Sequence, residues 1–188
     1  MNTKKRAIFI DRDGVLNDIV DRGENFFVGG VRARFGAPSR YSEFRLISGV
    51  HESLEILGTL GLLRILATNQ PDIAYGILSQ TDHERIMQEV KALPLDDIFV
   101  CLHKRDDGCL CKKPKPGMLL DAADKWNIDL ASSFMIGDTK DDVEAARAVG
   151  CATVIVDCDY NKEVEADIRV GSLLEAARSI KQSLTLKA

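Results

Sequence analysis

No stretch of the chain stays apolar for the ~20 residues that a membrane-spanning helix requires. Positive charge is not in excess either. Against 29 Asp and Glu stand 25 Lys and Arg, a net charge of −4, which argues against a nucleic-acid or anionic-membrane surface. There are no internal repeats and no low-complexity tract. Cysteine is sparse and odd in number, five in 188 residues, which argues against a disulfide framework. The basic start, Met1 to Arg6, has the charge of a secretory n-region, but the apolar run after it, Ala7 to Ile10, is too short for an h-region. A cytoplasmic protein is therefore expected, with no membrane partner. What remains is ordinary globular composition, 45% hydrophobic and 29% charged. The length suits one domain, 1–188, able to bury a core without staples, and a monomer is expected.

Apolar runs alternate with amphipathic stretches along the chain. Ala7–Ile10, Leu62–Ala67, Ile98–Val100, Phe134–Ile136 and Ala152–Val156 read as short buried strands. Helical patterns lie between and after them: Val50–Leu60, Thr81–Leu93, Gly117–Trp126, Thr139–Val149 and Ser172–Ser183. This alternation predicts an α/β fold, a parallel sheet flanked by helices, in which ligands bind beyond the carboxyl ends of the strands. Polar residues collect at those ends: Asp11 and Asp13, Thr68 and Asn69, a Cys/His/Lys segment, and Asp138. One stretch breaks the rhythm. Residues 18–45 are long for a strand-to-helix connection, and two short extended runs flank Gly29-Gly30, a hairpin signal.

Phosphoryl transfer needs a nucleophile, a metal to neutralise phosphate charge and a proton donor for the leaving oxygen. Asp11, at the tip of the first strand, can be the nucleophile. Asp13, one turn on, can reach the leaving group, and Gly14 lets the backbone approach phosphate. Alone, Asp-x-Asp-Gly is as readily a simple turn. Thr68 and the Asn69 main-chain N–H can donate to phosphate oxygens, although Thr-Asn after a strand is commonly a cap. Lys113 can balance the carboxylates, although Lys112, Lys113 and Lys115 alone would read as a solvated basic loop. Asp138 can join Asp11 as a hard oxygen ligand for Mg²⁺, with Asp142 one helical turn later supporting the site. The helix macrodipole accounts for acids at 141 and 142 but not for Gly137-Asp138 at a strand tip.

Taken in order, Asp11-x-Asp13-Gly14, Thr68, Lys113 and Gly137-Asp138-x-x-x-Asp142 resemble the four motifs of the haloacid dehalogenase superfamily. The resemblance implies a Rossmann-like core and phosphoaspartyl catalysis on a small phosphorylated substrate. Asp11 would attack, Asp13 would serve as acid and then base, and Thr68 and Lys113 would hold the phosphoryl group. Mg²⁺ would be bound by Asp11, Asp138 and the Asp13 main-chain carbonyl. An Asp at the second acid position separates the superfamily's phosphatases from its dehalogenases.

Cys101-Leu102-His103 and Cys109-Leu110-Cys111 form two ligand pairs. Four soft N/S ligands can close a tetrahedral zinc site, and Gly108 eases the turn between the pairs. Such a zinc would be structural and would order the loop, 101–111, that leads to Lys112 and Lys113. The run from Cys101 through Cys-Lys-Lys-Pro-Lys-Pro-Gly-Met118 narrows the resemblance to D-glycero-D-manno-heptose 1,7-bisphosphate phosphatases and the related histidinol-phosphate phosphatases. Pro116-Gly117-Met118 and Ile73-Ala74-x-Gly76 favour the heptose branch. No large cap domain is expected.

By resemblance Lys112 and Asn69 contact substrate, Lys112 standing where the family usually has arginine. Tyr75 likewise replaces an arginine. The 18–45 segment is longer than in the short-looped relatives. It carries Arg22, Arg32, Arg34, Arg40 and Arg45, which could contact a second phosphate or form a solvated face, the latter being the reading for most of them. Leaving and rejoining the sheet at its carboxyl edge, this segment should border the active site. His51 and His83 read as surface or packing residues, Trp126 as core, and Cys151 and Cys158 as inert thiols. Rival readings are a phosphatase for another small phosphate, such as histidinol phosphate, and a non-catalytic zinc-stapled binding domain.

Freshly purified protein is expected to contain about one zinc per chain, as four paired ligands imply. Cys109→Ser should lose zinc and melt at lower temperature, since metal binding is coupled to folding of the loop. Elemental analysis beside a thermal melt checks both, and zinc-free wild-type protein would contradict the reading.

Overall fold

The structure, a computed structural model, describes residues 3–185. In chain order its strands and helices are β1 (Ala7–Ile10), β2 (Val20–Asp21), β3 (Phe27–Val28), β4 (Val31–Arg32), β5 (Phe35–Gly36), α1 (Val50–Gly58), β6 (Leu63–Asn69), α2 (Gln80–Lys91), β7 (Asp97–Cys101), α3 (Gly117–Trp126), β8 (Phe134–Gly137), α4 (Lys140–Arg147), β9 (Ala152–Val156), β10 (Ile168–Val170) and α5 (Leu173–Thr185). Six of the strands form one parallel sheet in the order β10-β9-β8-β1-β6-β7.

The central strand explains the architecture. All four residues of β1 are buried, as a strand covered on both faces requires. Its side chains alternate between two cores. Ile8 and Ile10 pack with Leu54 and Leu57 of α1, Ile86 and Val90 of α2 and Ile180 of α5. Ala7 and Phe9 pack with Met118, Leu119 and Ala122 of α3 and Ala146 of α4. Helices therefore cover both faces, and no large cap accompanies the sheet among the described residues. None of these helices is long and apolar enough to cross a membrane.

Chain order runs from β1 outward to β6 and β7, then returns to β8 on the other side of β1. Strand order thus reverses beside β1, and a crevice opens at the carboxyl ends there. The tips of β1, β6 and β8 carry Asp11, Thr68 with Asn69, and Asp138. All three belong to that one crevice because their strands are neighbours.

Element boundaries differ from the sequence expectation in instructive ways. β6 continues through Thr68 and Asn69, which pair with Val100 and Cys101 of β7. The polar pair therefore ends the strand rather than following it, since backbone pairing tolerates polar side chains at the sheet's edge. Thr139 is the cap of α4 rather than its first residue. The sixth strand, β10, was not expected. Its three residues carry no periodic pattern, and only pairing with β9 makes them a strand.

Within 18–45, β3 and β4 form an antiparallel hairpin. Gly29 and Gly30 at its turn both have positive φ, 55° and 78°, the combination that suits a two-residue turn matching the strand twist. A second antiparallel pair, β2 with β5, encloses the hairpin. These two-residue strands were also unforeseen.

Candidate active site

Asp11 continues the β1 ladder by one hydrogen bond, its N–H donating to Ile136 O at 2.9 Å. The chain then turns sharply, Gly14 N–H donating to Asn17 O at 2.8 Å. Gly14 has φ +78°, and a Cβ there would lie 2.2 Å from Asp138 Oδ2. Only glycine lets this turn close over the carboxylate.

Arg12 is fully buried. Its Nη2 donates to both oxygens of Asp13, at 2.9 and 3.0 Å. Asn17 Nδ2 adds a bond to Oδ1 at 3.0 Å and Gln70 Nε2 one to Oδ2 at 2.6 Å. Asp13 is therefore held by donors from two strand ends.

Beneath the crevice lies a charge cluster. Lys113, 2% exposed, places Nζ 2.5 Å from Asp142 Oδ1 and 2.9 Å from Asp11 Oδ1, and donates to Ala67 O at 2.7 Å. The Asp11 contact is an ion pair without hydrogen-bond alignment, so Asp11 Oδ1 accepts no hydrogen bond. Asp138 Oδ1 is likewise buried and unbonded. Both oxygens of Asp142 are engaged, Oδ1 by Lys113 and Oδ2 by the N–H and hydroxyl of Thr139 at 3.0 and 2.5 Å.

Three buried carboxylates against one ammonium leave excess negative charge. Burial first, against the pull of Lys113, pushes Asp11 up to about 6. Burial, then Asp11 and Asp142, raise Asp138 well above the usual carboxylate range. Burial would lower Lys113, but Asp11 and Asp142 outweigh it and keep the ammonium charged. Asp11, Asp138 and Asp142 offer oxygens within 4.8 Å of one another. Two unbonded carboxylate oxygens in a negatively charged pocket are the donor set a hard divalent cation takes.

Thr68 is buried, and its Oγ1 accepts from Gln70 Nε2 at 2.9 Å. That leaves its own hydroxyl proton to donate. The Asn69 side chain is occupied. It donates to Lys113 O and accepts from Lys113 N–H, both at 3.0 Å. What Asn69 can offer a phosphate is its main chain, while its side chain fixes the Lys113 backbone.

A cavity of about 540 Å³ opens over these groups. Its floor includes Asp11, Asp13, Lys113 and Asp138, and Lys112 and Asn69 stand at its side. The opposite wall is the 18–45 segment, through Arg22, Phe26, Val28, Arg32, Arg34 and Phe35. Three of the segment's five arginines thus border the cavity, Arg32 and Arg34 while remaining solvent-exposed, because the hairpin folds back over the crevice. Arg34 pairs with Asp21 at 2.9 Å and Glu24 at 2.6 Å, and Arg32 pairs with Glu24. Arg22 stacks on Phe26 and donates to Ala37 O.

Cys101, His103, Cys109 and Cys111 also gather within 4.8 Å. Cys101 Sγ lies 3.7 Å from Cys109 Sγ and 3.5 Å from His103 Nδ1, while Cys111 Sγ is 3.1 Å from Cys101 Sγ and 3.2 Å from His103 Nδ1. Thiolates ~2.3 Å from a tetrahedral centre stand about 3.8 Å apart, so the first pair already has that spacing and the Cys111 contacts are tighter. Burial, then Cys101 and Cys109, push the Cys111 thiol up to about 12, and a cation at the centre would reverse that. By contrast Cys151 lies in the core, its thiol pushed to about 12 chiefly by burial. Tyr75 accepts the Arg105 N–H at 3.1 Å and packs under Gly29, bridging the Cys/His loop to the hairpin turn.

Five residues of the site went unassigned in the sequence: Arg12, Asn17, Gln70, Tyr160 and Asn161. The first three lie within or beside the segments that carry Asp11, Asp13 and Thr68. Tyr160 donates to Asp138 Oδ2 and Asn161 Nδ2 to Asp138 O at 2.6 Å. Their one legible signal was position, since they follow β9 at the same sheet edge.

Residues 110–173 match the HAD-hydrolase-like family. The chain is 37% identical over 165 residues to a D-glycero-β-D-manno-heptose-1,7-bisphosphate 7-phosphatase of Vibrio cholerae, covering 81% of each. To the enzyme of that name from Escherichia coli it is 31% identical, covering 94% of each. Among solved structures, the D,D-heptose 1,7-bisphosphate phosphatase of B. bronchiseptica, complexed with magnesium and phosphate, superposes with a TM-score of 0.78 at 28% identity, covering 95% of this chain and 99% of that one.

Removing Lys113 leaves three buried carboxylates without their ammonium. Lys113→Met is therefore expected to lower the unfolding free energy by about 3–5 kcal/mol without added divalent cation, the cost of breaking a buried pair. In Lys113→Met/Asp142→Asn the loss should be smaller than the sum of the two single losses. Urea denaturation of the three variants measures the coupling, and strict additivity would contradict it.

Proposed function

The chain belongs to the D-glycero-D-manno-heptose 1,7-bisphosphate phosphatase family of the haloacid dehalogenase superfamily, and on that footing we propose that this phosphatase removes the 7-phosphate of D-glycero-β-D-manno-heptose 1,7-bisphosphate. One observation carries the reading: Asp11, at the tip of β1 with Lys113 2.9 Å away, opens onto a cavity of about 540 Å³ whose far wall bears arginines. The volume falls in the ~300–1,000 Å³ range of small-molecule sites. The relatives' names supply the substrate.

A carboxylate oxygen of Asp11 attacks phosphorus as the bond to the sugar oxygen breaks. Asp13 gives its proton to that leaving oxygen, and phospho-aspartate remains on Asp11. Asp13, now a carboxylate, takes a proton from water as the water oxygen attacks phosphorus. Inorganic phosphate departs and Asp11 is restored. Arg12, Asn17 and Gln70 hold Asp13 in place for both transfers. Thr68 and Lys113 bind the phosphoryl oxygens, with the Asn69 side chain fixing the Lys113 backbone and Lys112 reaching the substrate from the side of the cavity.

Asp11 and Asp138, with the Asp13 main-chain carbonyl, would hold Mg²⁺, which supplies charge neutralisation for the transferring phosphoryl group. Asp142 supports them through Lys113. Cys101, His103, Cys109 and Cys111 would hold a structural zinc that orders the loop before Lys112 and Lys113. The whole chain then works as one phosphatase domain, in which the hairpin within 18–45 selects substrate and the loop at 101–111 positions the cations.

Phosphate release from the heptose bisphosphate should require Mg²⁺ and exceed release from histidinol phosphate. Asp11→Asn should abolish it while leaving the circular dichroism spectrum unchanged, and Asp13→Asn should be severely impaired. Asp11→Asn activity within tenfold of wild type would remove the nucleophile from the scheme.

Shortening the hairpin around Gly29-Gly30 should reduce turnover of the heptose bisphosphate more than that of a minimal phosphate ester, because only the larger substrate uses remote contacts. Parallel assays of kcat/KM on the two substrates decide this. An equal loss on both would contradict it.

A further inference from the structure

Asp138 is gripped at both ends by the loop between β9 and β10. Tyr160 donates its hydroxyl to Oδ2 of the carboxylate, and Asn161 Nδ2 donates to the main-chain carbonyl at 2.6 Å. Asn161 is itself buried and anchored. Its Nδ2 also bonds Val156 O at 3.0 Å, and its Oδ1 accepts the Cys158 N–H at 3.0 Å. Among the described residues, Tyr160 is the donor to the Asp138 carboxylate, and Oδ1 has none.

The terminal torsion of an aspartate is broad and nearly two-fold. Nothing intrinsic to Asp138 decides which oxygen faces Asp11. A donor fixed on one oxygen makes that choice and leaves the other for an ion, as partners of metal ligands commonly do.

Tyr160 has a second contact. The residue is 36% exposed and forms part of the cavity wall. It lies 5.2 Å from the ring of Phe35, inclined by 33°, an ordinary geometry for an attractive aromatic pair. Phe35 belongs to β5, in the segment that forms the opposite wall of the cavity. One side chain therefore touches both the candidate cation ligand and the substrate-facing segment.

We propose that Tyr160 is a positioning residue of the cation site: its hydroxyl pins Asp138 Oδ2 and so presents Oδ1 to a divalent cation, while Phe35 braces its ring and couples the 18–45 segment to cation affinity. The inference rests on the reading of Asp11 and Asp138 as cation ligands. Its readout is binding of the ion, not turnover.

Titration calorimetry with Mg²⁺ on the whole protein separates the possibilities. Tyr160→Phe keeps the ring and loses the hydroxyl, and should raise the Mg²⁺ Kd about 10–100-fold. Phe35→Leu keeps the hydroxyl and loosens the ring, and should raise Kd in the same direction by less. Asp138→Asn should abolish the isotherm, which assigns it to this site. Wild-type protein that binds no Mg²⁺, or Asp138→Asn that binds normally, would refute the cation site and the inference with it. Wild-type binding with Tyr160→Phe within twofold of it would overturn the inference alone. Circular dichroism establishes that the variants fold. Should Tyr160→Phe not fold, Phe35→Leu carries the test, and an unchanged Kd there overturns the proposal.

Discussion

One buried ammonium group ties the working parts of this molecule together. Lys113 Nζ meets Asp11 at the end of β1, Ala67 O in β6 and Asp142 at the start of α4. An ammonium without these partners would be costly to bury, and the carboxylates without it would repel one another. Each therefore holds the others in place. The arrangement remains deliberately incomplete in charge, three carboxylates to one lysine, which is the condition for taking up a dication. Lys113 in turn depends on its own backbone being held. Asn69 does that with two hydrogen bonds, and the Cys/His loop delivers the chain to the right place. The cysteines thus stand outside the candidate site but next to the chain that carries Lys113.

A different set of contacts builds the opposite wall of the cavity. The hairpin wall is built largely from residues that satisfy each other, Arg32 and Arg34 with Asp21 and Glu24. Exposed pairs of this kind contribute little stability, but they keep the hairpin's charges oriented at the cavity edge. Tyr75 is a strut between the hairpin turn and the Cys/His loop. The candidate site thus rests on strand ends with a loop segment carried above them, the arrangement by which one scaffold can serve several substrates.

Much of the site was legible because its signals are local. Asp11, Asp138 and the Thr68–Asn69 pair each end an apolar run, and the Cys/His quartet lies within eleven residues. The hairpin turn was legible through Gly29-Gly30, whose positive φ values few other residues adopt readily. The misses share a cause. β2, β5 and β10 are too short to show a period, and they exist through their partners. Arg32 and Arg34 are solvent-exposed, as a solvated face requires, but that they and Arg22 also border the cavity was not legible, because composition does not say which way a hairpin folds.

By itself the sequence determined the alternation of buried strands and amphipathic helices, hence a parallel sheet with its polar residues at one edge. It did so because burial on two faces demands continuous apolar runs, and a run is visible wherever it occurs. Only the tertiary structure decided that β1 lies between β6 and β8, which brings Asp11, Thr68 and Asp138 into one crevice. It also decided that Gln70 reaches back to Asp13 and that Tyr160, beyond the next strand, holds Asp138. Those choices belong to crossover connections and to packing between residues tens of positions apart, and no local pattern of side chains encodes which distant strand becomes a neighbour.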